Sequence, residues 1–444
     1  MTARFLPRPT LWLVTLLAVL GLNLGFLLFG LLVANFPRDA LEEQVRGAFA
    51  TDELIEEDWR RRDRRRGHNQ YNDCLILQMA LNRDPSVLRE VVGPNLYLRE
   101  GWYEQCRTLS DIVHNPESRE DLVHDRYTRY WHGYVPATSL LLRVFSLREL
   151  RSGLKAGVYG SLLLLLVAAA TDRRLFGFGA SVAFAGATFW GLPYFGQSLG
   201  HAMGDALVVL APAALLFFRN QLLREELLLP FAAVIGGLLV YFEFLTGQLP
   251  VGAALIFMAV YLAARVREGA NAEPVMAWRL AIWALVALGI GSVATVVLKQ
   301  ILVLVVLGPE GINSFLSHLD RYSGAGGPGP LTYRLGVLGD LIASGSWHRL
   351  GGETGTLLLY AISGTAWMVV LGSALWHRGS ALADACAFGF GAAIIVGWVF
   401  LLPEHTAGHL GFMSRMLFVP VALGFAALIW RANQPIPKRL RNTS

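Results

Sequence analysis

Long unbroken apolar blocks, rather than helical stripes, organise this chain. Hydrophobic residues run for the ~20 positions that a helix needs to cross the hydrocarbon core of a bilayer. The blocks fall at 10–34, 153–171, 175–193, 203–218, 227–243, 248–264, 278–307, 354–376, 384–402 and 412–430. The first, Thr10–Ala34, is too long for the apolar part of a signal peptide and lacks a convincing cleavage site, so it reads as a retained span. The pattern predicts an all-α polytopic membrane protein of about ten transmembrane helices. Two longer polar stretches, 36–152 and 308–353, interrupt it, and the first predicts a large helical loop. The expected division is 1–35 (N-terminus and first span), 36–152 (loop domain), 153–307 (first bundle), 308–353 (second loop segment) and 354–444 (second bundle and C-terminus).

Composition agrees. The 444 residues are 54% hydrophobic and only 16% charged, with a mean hydropathy of +0.46, whereas soluble chains carry about a quarter charged residues. The net charge of +5 says little about partners.

Basic residues in the short loops set an orientation. Arg4 and Arg8, Arg173 and Arg174, Arg219 and Arg224, Arg265, Arg267 and Arg279, Arg378, and the Arg431–Arg441 tail fall on one side. The opposing short loops, 194–202, 244–248 and 403–411, contain no Lys or Arg. The positive-inside rule then places both termini in the cytoplasm and both long segments outside. The run "RRRDRRR" (Arg60–Arg66) does not oppose this, because long loops translocate regardless of charge. Lying outside, it reads as a solvated helix face or a contact for anionic lipid heads rather than for nucleic acid.

Outer placement gives the cysteines meaning. Cys74 and Cys106 share the first loop, and an oxidising compartment permits a disulfide between them. Cys386 sits alone in a span and reads as packing.

The residues able to do chemistry gather on that same side. In the first loop these are Asp39, Asp73 and the stretch "RYTRYWHGY", with Arg129, Tyr130 and His132. Span tips add His201 and Asp205 from "GHAMGDAL", Glu243 from "YFEFLTGQLP", Lys299, and His405, His409 and Arg415 from "EHTAGHLGFMSRM". Each has a plain alternative. Asp73 or Asn72 can cap the helix that "CLILQMAL" begins, and Asp39 can cap another. His132 suits an interfacial aromatic belt. His201 and Asp205, four apart, can satisfy one another. His405 and His409 have the same spacing, which suits a divalent metal on a helix but is a weak signal without further ligands. Lys299 and Arg415 are harder to explain away, since a cation in a span costs roughly 2.5–3.5 kcal/mol on insertion scales.

Anion binding would account for those cations. A sugar on a polyprenyl phosphate needs cations for its leaving group, a carboxylate for the acceptor's proton, and a groove for its tail. No other cofactor is implied, and no phosphate-cradling glycine loop for a nucleoside triphosphate is found.

A first span, a long outer loop with an early acid, interfacial helices and spans with polar outer tips resemble the GT-C glycosyltransferases. "NDCLILQMAL", "RYWHGYVPATSLLLRVFSLRELR", "GHAMGDAL", "YFEFLTGQLPVG" and "HTAGHLGFMSRM" resemble, in order, the motif series of a family of bacterial GT-C-like membrane proteins. "RYWHGY" is the most specific of them. Asn72 stands where a Thr or similar residue is expected, and Glu243 and Gly247–Gln248 where an Asp and a Pro-containing turn are expected. The resemblance implies an inverting glycosyltransferase of the bacterial inner membrane that uses a polyprenyl-phosphate sugar. Its acceptor would be an extracytoplasmic glycan, lipid or protein.

Asp73 is then the preferred base, carried by its motif, and Asp39 the alternative, carried by its position just after the first span. The glycine- and proline-rich "GAGGPGP" (Gly324–Pro330) reads either as a lid or as a linker. A transporter or flippase, with charges lining its path, and an envelope scaffold subunit are the rival readings.

Overall fold

The computed structural model describes residues 8–58, 70–99, 104–242, 247–268, 274–323, 331–344, 352–377 and 379–434. The chain opens with α1 (Pro9–Ala34) and enters the loop domain through α2 (Asp39–Ala50), α3 (Gln70–Leu81) and α4 (Val87–Val92). Strand β1 (Asn95–Leu98), α5 (Gln105–His114), β2 (Val123–Arg126) and α6 (Tyr134–Leu141) complete that domain. The bundle begins with α7 (Leu147–Ala170), α8 (Arg173–Phe189), α9 (Leu192–Phe195), α10 (Ala202–Phe217), α11 (Arg219–Leu222) and α12 (Glu225–Phe242). It continues with α13 (Gln248–Glu268), α14 (Val275–Leu307), α15 (Pro309–Ser323), α16 (Leu331–Ala343) and α17 (Gly352–His377). Last come α18 (Ser380–Leu401), α19 (Pro403–Gly408), α20 (Leu410–Met413) and α21 (Phe418–Ala432).

Every apolar block of the sequence becomes helical, and among the described residues eight stretches are long and apolar enough to cross a membrane, the last being Leu410–Ala432, which runs from α20 through a 3-10 turn into α21. The other two, α8 with 17 residues and α10 with 16, miss that length. At 1.5 Å per residue they span about 24–26 Å, against ~30 Å of hydrocarbon. Among the described residues there is one departure from an all-α fold: β1 and β2 pair antiparallel, with Asn95 opposite Arg126 and Leu98 opposite Val123.

Helix α13 forms the centre of the bundle. Its sequence is apolar on all sides, and nearly every side chain from Pro250 to Val266 is buried, as expected for a helix with no polar face. By contrast α1 buries Val19, Asn23, Phe26 and Val33 and exposes Leu13, Leu17, Leu24 and Leu28. That outward leucine face suits lipid rather than water. Asn23 fixes its inner face by donating to Thr295 Oγ1 of α14 at 3.0 Å.

Contacts alternate the helix directions. The ends of α1, α12 and α14 and the starts of α7, α10, α13 and α21 all meet the loop domain or its neighbouring turns. At the other end of α13, Asp384 Oδ1 of α18 accepts from Tyr261 Oη at 2.6 Å and Arg265 Nε at 3.1 Å. Its Oδ2 accepts from Trp430 Nε1 at 3.0 Å, so one carboxylate ties three helices together. Cys386, two residues on, is exposed on α18. It faces outward, contrary to the packing role expected, because Asp384 turns the adjacent face inward.

The loop domain has its own apolar core, including Leu41, Leu54, Leu77, Leu96 and Leu109, and a Cys74–Cys106 disulfide joins α3 to α5. Residues Asp73–Leu81 of α3 are all buried. The Asp58 carboxylate accepts from the backbone N–H groups of Glu104, Gln105 and Cys106 at 2.6, 3.1 and 2.8 Å. These donors at the first turn of α5 have no partner within the helix, and an anion there also suits the helix dipole.

Candidate functional site

Two sets of polar side chains lie where the loop domain meets the bundle. The first is built around α3. Asp73 is fully buried, and its Oδ2 accepts from Arg151 Nε at 3.0 Å and Nη2 at 2.6 Å. Oδ1 accepts from Leu199 N–H at 2.9 Å and Ser198 Oγ at 3.4 Å. A carboxylate has about four lone-pair positions, and all are engaged here. Arg151 also donates to the Glu53 carbonyl at 2.9 Å, so the pair links α3, α7, the turn after α2 and the turn before α10. The geometry gives Asp73 a holding role. Beside it, Asn72 Nδ2 lies 3.1 Å from His201 Nε2.

His201 and Asp205, whose spacing also allowed them to satisfy one another, share Gln248 instead. Gln248 Nε2 donates both to the His201 carbonyl and to Asp205 Oδ1, each at 2.9 Å. Arg415 pairs with Asp205 Oδ2, donates from Nε to the Trp190 carbonyl at 3.2 Å, and lies 4.5 Å over the Phe195 ring. Gly204 makes this approach possible, since a Cβ there would fall 1.8 Å from Gln248 Oε1. His405 and His409 place their rings 4.7 Å apart. Burial lowers the His409 pKa, and His201 lowers it further. Among the described residues no group of three or more His, Cys, Asp or Glu is placed to hold a metal.

The second set grows from "RYWHGY". Tyr127 and Tyr130 share a hydroxyl hydrogen bond of 2.8 Å, and Arg129 lies 4.9 Å over the Tyr127 ring. His132 Nε2 is 3.1 Å from the Tyr127 carbonyl, which can only accept, so Nε2 carries the proton. Nδ1 then accepts from Tyr134 Oη at 2.8 Å. Burial holds the His132 pKa well below its usual value, and the Lys299 charge adds to this, so the imidazole is neutral. Gly133 N–H donates to the Tyr241 carbonyl at 2.9 Å. A Cβ on Gly133 would sit 2.3 Å from the Tyr241 ring, which accounts for the glycine in the motif. Lys299, fully buried, donates to the Val92 carbonyl and lies 4.8 Å from the Trp131 ring centroid. Next to it, Gln300 donates to the Arg129 carbonyl at 2.9 Å.

This second set borders a half-open cleft between α1, α4, α6 and α12. Phe26, Gly30, Val33 and Ala34 of α1 form an apolar wall, while Arg38, Glu90 and His132 bring polar groups to the lining. Arg38 Nη2 pairs with Glu90 Oε1, and Nη1 lies 3.5 Å from Ser139 Oγ. Arg38 Nε and Trp131 Nε1, both on lining residues, are buried without a hydrogen-bond partner among the described residues.

The expected residues therefore divide. Asp73, His201, Asp205, His405, His409 and Arg415 belong to the first set, with Arg129, Tyr130, His132 and Lys299 in the second. Lys299 and Arg415, read from the sequence as joint phosphate ligands, contact different partners. Asp39 is exposed in the first turn of α2, and Glu243 lies outside the described residues. The sequence reading passed over Arg38, Glu90, Trp131 and Arg151. Arg38 had a signal, being a cation four residues past the end of the first span. No protein-family model, curated protein or solved structure matches this chain.

Proposed function

We propose that this chain is a multi-pass glycosyltransferase of the bacterial cytoplasmic membrane, with ten spans and both termini inside. It moves a sugar from a polyprenyl-phosphate donor to an acceptor on the outer face. The cleft carries this reading: an apolar wall supplied by a membrane-type helix meets an Arg, a Glu and two buried donors without acceptors. A lipid tail needs the first, and a lipid phosphate needs the second.

The chemistry follows from that placement. The acceptor oxygen bonds to the sugar's anomeric carbon as the bond from that carbon to the phosphate oxygen breaks. Polyprenyl phosphate leaves as an anion, stabilised by Arg38 and Trp131 Nε1. The acceptor hydroxyl gives its proton to a carboxylate. Glu90 is the carboxylate that lines the cleft, whereas Asp73 is saturated by Arg151 and backbone.

A disulfide in the loop domain suits an oxidising compartment, and the arginine-rich turns suit the opposite side. Solute transport calls for charges along the midplane. The buried pairs Asp205–Arg415 and Arg265–Asp384 instead sit toward opposite ends of the bundle.

The test uses the purified chain in lipid nanodiscs, a polyprenyl-phosphate sugar, and envelope extract as the source of acceptor. Wild type should release free polyprenyl phosphate. Glu90→Gln should lower that rate at least ~100-fold, the low end of general-base contributions. Protein that consumes no donor yet moves a solute into liposomes would replace this reading with transport.

A further inference from the structure

Among the described residues that line the cleft Arg38 is the only Lys or Arg, and Glu90 already occupies it. The occupation is partial. A guanidinium offers an Nε–Nη2 edge that grips two oxygens of one anion at once. Glu90 takes only Nη2, through Oε1, while its Oε2 lies 3.3 Å from the Asp84 N–H. The Arg38 side chain is nine-tenths buried, and its Nε is left without an acceptor. Trp131 Nε1, on the same cleft, is in the same condition. The carboxylate thus neutralises the cation without satisfying its Nε donor.

Resting on the donor-site reading above, we propose that a lipid-borne phosphate enters this cleft by exchange, taking Arg38 from Glu90. Two phosphate oxygens can engage Arg38 Nε and Nη2 together, and a third can accept from Trp131 Nε1. Glu90 is then a built-in competitor, which sets how tightly the lipid binds and gives neutral ligands nothing to displace it with. Once displaced, it stays in the cleft through the Asp84 N–H, and the apolar wall of Phe26 and Val33 lies along the lipid's chain. No covalent step is involved.

The probe is a polyprenyl phosphate with a fluorescent tail, titrated onto the full chain in phosphatidylcholine nanodiscs. Removing the competitor should tighten binding, so Glu90→Gln should bind about tenfold better than wild type. Arg38→Gln should bind about tenfold worse, as loss of a charge-assisted hydrogen bond implies. The double variant should match Arg38→Gln, because without Arg38 there is nothing to compete for. Trp131→Phe keeps the ring packing and should weaken binding about tenfold, the effect of one lost hydrogen bond to a charged acceptor. If Glu90→Gln does not fold, Glu90→Asp keeps the charge, shortens its reach, and should also bind more tightly than wild type. Competition by unlabelled polyprenyl phosphate and by phosphatidylglycerol identifies which phosphate lipid the cleft takes. Equal or weaker binding in the Glu90 variants, or wild-type protein that binds neither lipid, overturns the exchange. Failure of the transferase reading would look different, with binding as described but no donor consumed by wild type.

Discussion

Asp73 decides between two chemistries at the scale of a single residue. A free carboxylate acts as a base, whereas one buried on Arg151 holds two helices and a turn in place. Breaking a buried ion pair strands the remaining charge at a cost of about 3–5 kcal/mol. Asp73→Asn should therefore lower thermal stability markedly, and Asp73→Leu with Arg151→Met should recover most of the loss. An Asp73→Asn protein as stable as wild type but inactive would restore Asp73 as the base. The sequence could show that Asp73 had company on one face, but not which company. Its partner is 78 residues away, and no local spacing encodes such a pair. Glu90 was missed for a similar reason: "VLREVV" reads as an ordinary short helix until α1 is packed against it. The Gly133 and Gly204 positions were visible in the motifs, but the Tyr241 ring and Gln248 amide that demand them were not.

Elements were easier to read than residues. Apolar blocks near ~20 residues leave a chain few choices, because an unpaired backbone in hydrocarbon is costly. All ten blocks are helices. The β1–β2 pair was not legible, since four-residue strands give too few alternations to stand out. In the second loop segment, α15 and α16 flank the "GAGGPGP" stretch, which lies outside the described residues. The disulfide joining α3 and α5 closes a loop across 32 positions. Chain-entropy arguments put its contribution at about 3–4 kcal/mol for such a loop. Cys74→Ser should leave the loop domain open to protease at temperatures where wild type resists, and non-reducing peptide maps of wild type should show the Cys74–Cys106 link. Recovering both as free thiols from fresh membranes would remove the brace.

Across the whole molecule, the polar sets and the cleft lie where the loop domain covers one end of the bundle. That arrangement places a lipid's head under the loop domain while its chain stays against α1. The most direct measurement is photo-crosslinking with a polyprenyl phosphate carrying a diazirine in its first isoprene units. Label should map to α1 between Phe26 and Ala34, and to the Val91–Pro94 and Trp131–Pro136 segments, and excess polyprenyl-phosphate sugar should suppress it. Label confined to the outer faces of α17 and α18, or unaffected by the donor, would contradict a donor site in this cleft.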